Sequence, residues 1–153
     1  TLQRIVPYVP NERFTFTTTN PMAALDLCKI GLPVVNIVGG KLDRDYQTVT
    51  GMHAMRFLSD VNIDIAFLSP SGLSLKSGFT GGNYSECELK RVVVEKARLV
   101  VLLLDSSKID KSLPYTFCHL DQVHIIITDT PLPADITEQI HRHGGRIIDV
   151  TKE

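Results

Sequence analysis

The sequence predicts an α/β protein built on a mostly parallel sheet with helices on both faces. Apolar and β-branched runs alternate with single helix-like segments. Several of these runs, above all residues 99–104, are continuous in Val, Ile and Leu. Polar chemistry collects where the runs end. Continuous apolar strands belong to parallel sheets, and strand–helix alternation is the pattern that builds them. Ligands of such sheets sit outside the carboxyl ends of the strands.

Each element has its own local reason. Thr1 to Val6 resemble the body of a helix with neither cap nor lead-in, so the chain reads as a fragment. Residues 13–18 are rich in β-branched and aromatic side chains and form the first strand. Thr19 or Asn20 then caps a helix with Pro21 at its first position. Ala23, Ala24, Leu25, Leu27 and Cys28 carry this helix to Gly31, which suits a left-handed terminating residue. The next strand is 34–38, closed by Gly39 and Gly40. A short helix over about 51–59 puts Met52, Met55 and Leu58 on one face.

The third strand is 63–68. Residues 69–82 are rich in Gly and Ser without apolar periodicity, so a loop is expected, and its length marks it as a functional lid or rim. Asn83 with Glu86 resembles a capping box for a helix whose Leu89, Val92, Val93 and Ala97 face the core. Strands follow at 99–104 and 123–128. Pro133, Asp135 and Glu138 then open a helix closing on His141, Arg142, His143 and Gly144, a charge order that suits the helix dipole. The last strand is 146–150.

A chain of 153 residues suffices for one buried core, so a single domain over 1–153 is expected. Lys and Arg total 16 against 17 Asp and Glu, and no basic run reaches five, so the chain carries no nucleic-acid footprint of its own. Cys28, Cys87 and Cys118 are odd in number and far apart, which predicts reduced thiols. No apolar stretch approaches the roughly 18 residues a membrane span needs, and no signal-peptide order opens the chain. A soluble, cytoplasmic protein with no membrane partner is expected.

Four strand ends carry binding chemistry. Asp105-Ser106-Ser107-Lys108 follows the most apolar run. Lys108 suits a phosphate, and the two serines donate to the same oxygens. The plain alternative is a solvated turn whose polar side chains bond their own backbone. Thr18, Thr19 and Asn20 sit where a helix N-terminus favours an anion, although capping alone accounts for them. Gly39-Gly40 lets a ligand approach the backbone, and paired glycines are equally ordinary in turns. The fourth end is 69–72. Gly78, Gly81 and Gly82 form neither GxGxxG nor a P-loop, which excludes a nucleoside triphosphatase. The five histidines lack metal-ligand spacing, so neither metal nor cofactor is expected.

In order, Thr19-Asn20, Val38-Gly39-Gly40, Gly51, Asp64-Ile65-Ala66-Phe67-Leu68, Ser71-Gly72, Gly78-Phe79-Thr80, Glu86-Cys87-Glu88-Leu89-Lys90-Arg91, the 105–108 segment and Thr128-Asp129 resemble the C-terminal effector-sensing domain of the DeoR family of sugar-metabolism repressors. The resemblance covers nearly the whole chain. It implies a fold like that of ribose-5-phosphate isomerase and the CoA-transferases. It also implies a phosphorylated sugar or sugar-derived effector, a homo-oligomer, and operator DNA as partner through an N-terminal winged helix-turn-helix absent here. Carried over, the effector contacts are Thr19, Asn20, Gly39, Gly40, Ser71, Gly72 and Lys108, with Thr18, Glu86, Lys90 and Asp105 as secondary candidates. The family's glycine–threonine phosphate loop would end at Thr1. Ser69-Pro70-Ser71 departs from the family, which often has a glycine soon after that strand, and Pro70 stiffens the rim.

The related isomerases place an acidic cluster after the strand matching 63–68, where proton transfer beside a carbonyl needs a carboxylate. Here the segment is Ser69-Pro70-Ser71-Gly72, so binding without turnover is expected, with no catalytic residue. Glu86 and Glu88 sustain the alternative of an active sugar-phosphate isomerase. A pure oligomerisation module would bind no ligand.

Overall fold

The computed structural model describes residues 2–152 and divides into two units, the first ending at Asp60 and the second starting at Val61. Thr1, the expected end of the phosphate loop, lies outside the described residues.

The first unit opens with a helix, as expected, of the 3-10 type over Leu2–Tyr8. Pro7 lies inside it and contributes no backbone donor to the turn. Strands β1 (Thr15–Thr18) and β2 (Val34–Ile37) pair in parallel, joined through α1 (Pro21–Leu27). Asn20 caps α1, its Oδ1 accepting from the Ala23 N–H at 2.9 Å. Gly31 does not terminate the helix. Cys28 ends it in a right-handed conformation, and Gly31 has no positive φ. A hairpin of β3 (Lys41–Asp43) and β4 (Thr48–Thr50) follows, then α2 (Met52–Ser59). The buried stripe of α2 is Ala54 and Leu58, spaced i,i+4, whereas Met52 is 85% exposed at the first position. The expected Met52 contact with the core is therefore corrected.

The second unit is organised by four parallel strands in the order β11-β10-β8-β5: β5 (Ile63–Leu68), β8 (Ala97–Leu104), β10 (Ile125–Thr128) and β11 (Arg146–Asp149). Register brings Leu68, Leu102, Ile126 and Ile147 into one row across the sheet. The order simply follows the sequence. Right-handed crossovers between successive strands therefore lay their helices on the same face. That is where α3 (Tyr84–Lys96) and α4 (Ala134–Arg142) are found, with Cys87, Val94, Ile136 and Ile140 packed on Val100, Leu102 and Ile126.

Residues 69–82 are not a loop. They contain a hairpin of β6 (Gly72–Ser74) and β7 (Gly78–Gly81), extended by β9 (Tyr115–Cys118) into a three-stranded antiparallel sheet. Only Leu73 and Phe79 supply large apolar side chains to β6 and β7. They face each other in the ladder and are fully buried. The glycines stand where nothing larger fits. A Cβ on Gly72 would lie 2.6 Å from the Lys111 carbonyl oxygen and 2.9 Å from Thr80 Oγ1, and one on Gly81 would lie 2.6 Å from Cys87 Sγ. Ala97, expected on a helix, already belongs to β8.

Of the thiols, Cys28 is exposed while Cys87 and Cys118 are buried. Burial, reinforced by Asp121, pushes the Cys118 thiol from 9.0 up to about 12. Burial likewise raises Cys87, against the pull of Lys90.

Two outcomes follow from this packing. Gly72→Ala should cost about 1–3 kcal/mol through forced overpacking, read as a lower urea midpoint, whereas Gly39→Ala, with open space around its Cα, should change stability by less than about 1 kcal/mol. A thiol raised in the native state is ionised first in the unfolded chain. Stability is therefore intact below pH 9.0 and falls as pH rises toward 12. Urea unfolding at alkaline pH should show a steeper loss for the wild type than for Cys118→Ala, by up to about 1.4 kcal/mol per pH unit.

Candidate functional site

In the first unit, parallel pairing brings the ends of β1 and β2 side by side. The Val38 N–H donates to the Thr18 carbonyl at 2.9 Å, so Thr18-Thr19-Asn20 and Gly39-Gly40 leave the sheet as neighbours. The β3–β4 hairpin is fastened to the same edge. The Val49 N–H donates to the Thr19 carbonyl at 2.7 Å, and the buried Thr48 hydroxyl donates to Thr19 Oγ1 at 3.0 Å. Much of the expected binding chemistry is thus engaged internally. Asn20 Oδ1 caps α1, and Thr18 Oγ1 accepts from the Asn20 N–H at 3.1 Å. Gly40 adopts φ 152°, and a Cβ there would lie 2.5 Å from the Thr50 carbonyl oxygen, so the turn itself demands glycine. Gly39 is exposed, with nothing within 4 Å of where a Cβ would stand. Its backbone therefore has open space on that side.

In the second unit the chemistry gathers at the carboxyl ends of β5, β8 and β10. After β8, residues Ser106–Lys108 form one 3-10 turn capped by Asp105, whose carboxylate accepts from the Ser107 N–H at 3.1 Å and from the Ser107 hydroxyl. That hydroxyl, more than Lys108, lowers the Asp105 pKa below its ordinary value. The Ser106 N–H donates to Asp129 Oδ1 at 2.7 Å, tying the end of β8 to the end of β10. Asp105 and Ser107 therefore satisfy one another, as in a self-bonded turn. Lys108 differs. It is half-buried and forms no salt bridge among the described residues.

The turn is braced against the hairpin that follows β5. Ile109 bridges to Leu73, and the Lys111 N–H donates to the Leu73 carbonyl at 3.2 Å, which brings the Lys108 segment beside Ser71-Gly72. Ser71 is half-buried, its N–H donating to the Thr80 carbonyl at 2.9 Å. Gly72 is buried, and its surroundings assign it a packing role.

Glu86 and Lys90 face each other one turn apart on α3, with Lys90 Nζ 2.7 Å from Glu86 Oε1. The ammonium also donates to the Ser69 carbonyl at 2.9 Å and lies 5.0 Å from the centroid of the Phe117 ring. With side-chain exposures of 14% for Lys90 and 21% for Glu86, this pair is fixed and largely removed from water. A carboxylate so held is a poor general base, because abstracting a proton would break its strongest contact. Thr48 was not singled out by the sequence, and Asp129 was named only within the family resemblance, with no site role. Asp129 follows a β-branched run at a strand end, and Thr48 opens the Thr-Val-Thr of β4. Among the described residues, no group of three or more His, Cys, Asp or Glu is placed to hold a metal ion, and no helix is long and apolar enough to cross a membrane.

Comparison with known proteins bears on the domain as a whole. A family model described as the DeoR C terminal sensor domain matches residues 1–130. The HTH-type transcriptional regulator GlpR of Haloferax volcanii is 33% identical over 150 residues, covering 97% of this chain and 58% of the relative. The HTH-type transcriptional regulator IolR of Bacillus subtilis is 36% identical over 107 residues, 70% of this chain and 43% of the relative. The glycerol-3-phosphate regulon repressor of Escherichia coli is 25% identical over 107 residues, 70% of this chain and 42% of the relative. The chain thus spans about half the length of the curated relatives it matches. With a parallel α/β sheet, a match over most of its length and relatives named as regulators and repressors, the chain belongs to the DeoR family as a C-terminal sensor domain.

Proposed function

We propose that this domain binds a phosphorylated sugar or sugar-derived metabolite without converting it. In a longer protein, that binding would change the affinity of an attached N-terminal reader for operator DNA. The observation that carries the reading is Lys108, a half-buried ammonium without a salt bridge, on a short turn at the carboxyl end of the central strand β8. A lysine there attracts a phosphate as a point charge. Ser71 supplies a neighbouring hydroxyl, and Glu86, Lys90 and Asp105 are secondary candidates on the same unit. Thr18, Thr19, Asn20, Gly39 and Gly40 are candidate contacts of the first unit in their own right. Gly72 acts by keeping the hairpin close. The name of one relative refers to a glycerol-3-phosphate regulon, which agrees in kind with a phosphorylated effector.

The signalling step is a population shift. The effector must bind two arrangements of the regulator unequally, and the difference in affinity sets the change in DNA binding. A homo-oligomer in the cytoplasm, built on this domain, is part of the same proposal. Turnover is disfavoured because neutral residues follow β5 and the Glu86 carboxylate is committed to Lys90.

A thermal-shift screen of phosphorylated sugars on a regulator carrying this domain should find a compound that raises the melting temperature, since a native-state ligand stabilises by mass action. Lys108→Ala should weaken that compound about 10- to 100-fold, the worth of one charge-assisted hydrogen bond. Stability without ligand should move by less than about 0.5 kcal/mol. Unchanged affinity in calorimetry would remove Lys108 from the site. Incubation with ribose 5-phosphate should form no ketose above background, and enzymatic rates would overturn the sensor reading.

A further inference from the structure

We propose a second binding site on the second unit, on the side away from Lys108, for a small oxyanion, either a phosphate or a carboxylate. The hollow is about 290 Å³ and is lined by Lys76, Gly78, His119, Leu120, Asp121, Gln139 and His143, with Leu75 at its margin.

Its position follows from chain direction. Helix α4 starts where β10 ends and finishes where β11 begins, so its last turn, with Gln139 and His143, lies at the amino edge of the parallel sheet. His119 and Leu120 precede β10 and belong to the same edge. The β6–β7 turn bearing Lys76 is drawn in by Gly78. A Cβ there would lie 2.7 Å from the Cys118 carbonyl oxygen and 3.3 Å from His119 Cα, so only glycine at φ 66° permits the approach. Lys108 lies at the carboxyl edge, so the two sites are separate.

The donors of the hollow are largely unspent. Lys76 forms no salt bridge and no hydrogen bond among the described residues, and the same is true of the side chains of Gln139 and His143. The backbone of His119 is fixed by Gln122, whose Oε1 accepts from the His119 N–H at 2.8 Å and whose own N–H donates to the His119 carbonyl at 3.1 Å. The imidazole keeps a ring N–H to donate. An ammonium, two imidazoles and an amide therefore converge on a concave surface floored by buried Leu120 and Gly78. Asp121 is the one carboxylate in the lining. Four donor-bearing groups against one acid favour an oxyanion over a cation.

The test is an NMR titration of the His119 and His143 imidazole signals in the full chain, with inorganic phosphate in one arm and acetate in the other. Saturable shifts of both residues are expected with at least one probe, at concentrations up to about 50 mM. The arm with the tighter response identifies the oxyanion. Lys76→Gln should weaken that response about three- to tenfold, and added salt should weaken it further. Lys108→Ala should leave it unchanged, which separates this site from the effector site. No saturable shift with either probe would overturn the proposal, as would a response insensitive to Lys76→Gln. Because Lys76 is exposed and unpaired, Lys76→Gln should retain the wild-type melting temperature, so a changed titration reports binding.

Discussion

The second unit depends on parallel pairing along β8. That strand is hydrogen-bonded on both sides, to β5 and to β10, and Val100, Val101, Leu102 and Leu104 are all buried. Parallel strands must all be entered from the same edge, so every connection out of them starts at the other edge. The chemistry of Ser69–Ser71, Asp105–Lys108 and Asp129 is gathered by this rule before any specific contact forms. The Ser106–Asp129 hydrogen bond at 2.7 Å then fixes what the sheet has already brought together. The sequential strand order has a further consequence: both crossover helices fall on one face, so the core of the unit is built from the even-numbered side chains of β5, β8 and β10.

The strands and helices of this frame were legible because burial leaves a strong mark. A continuous run such as 99–104 has no stable place except between layers, and the charge order of α4 matches its observed bounds. The β6–β7 hairpin was illegible for the converse reason. Its stability comes from two large apolar residues, Leu73 and Phe79, while its glycines make room for Lys111, Leu113 and Cys87 from elsewhere in the chain. Glycine and serine read locally as a loop; only the neighbours that fill the space reveal a sheet. Met52 fails similarly, because helical spacing identifies a face but not the position at which burial begins.

Site residues divided along the same line. Glycine is ambiguous in sequence, since a ligand approaching the backbone and a side chain packing on it demand the same residue. The structure separates the cases: Gly72 and Gly40 are held by protein atoms, while Gly39 has open space before it. Hydroxyl and amide groups show a parallel division. Asn20, Thr19 and Ser107 are engaged in capping or cross-strand bonds, and Lys108 is not in an ion pair. Residue type suggested where binding chemistry lies, but only the partners of each group show which atoms remain to bind anything.

The Glu86–Lys90 pair supports the proposal of binding without turnover. A buried ion pair contributes little net stability, because desolvation offsets most of its attraction. Its effect here is better understood as positional. Lys90 holds the Ser69 carbonyl, the Glu86 carboxylate and the Phe117 ring at once, and so anchors the start of α3 to the end of β5. Catalysis by proton transfer would require the carboxylate to exchange its counter-ion for a substrate proton during each turnover. A domain that must only recognise a ligand gains from the opposite arrangement, in which the charges at the strand ends are already paired and stay in place. On the proposed reading, Lys108, which forms no ion pair among the described residues, would respond to an anion without rearranging the acid beside α3.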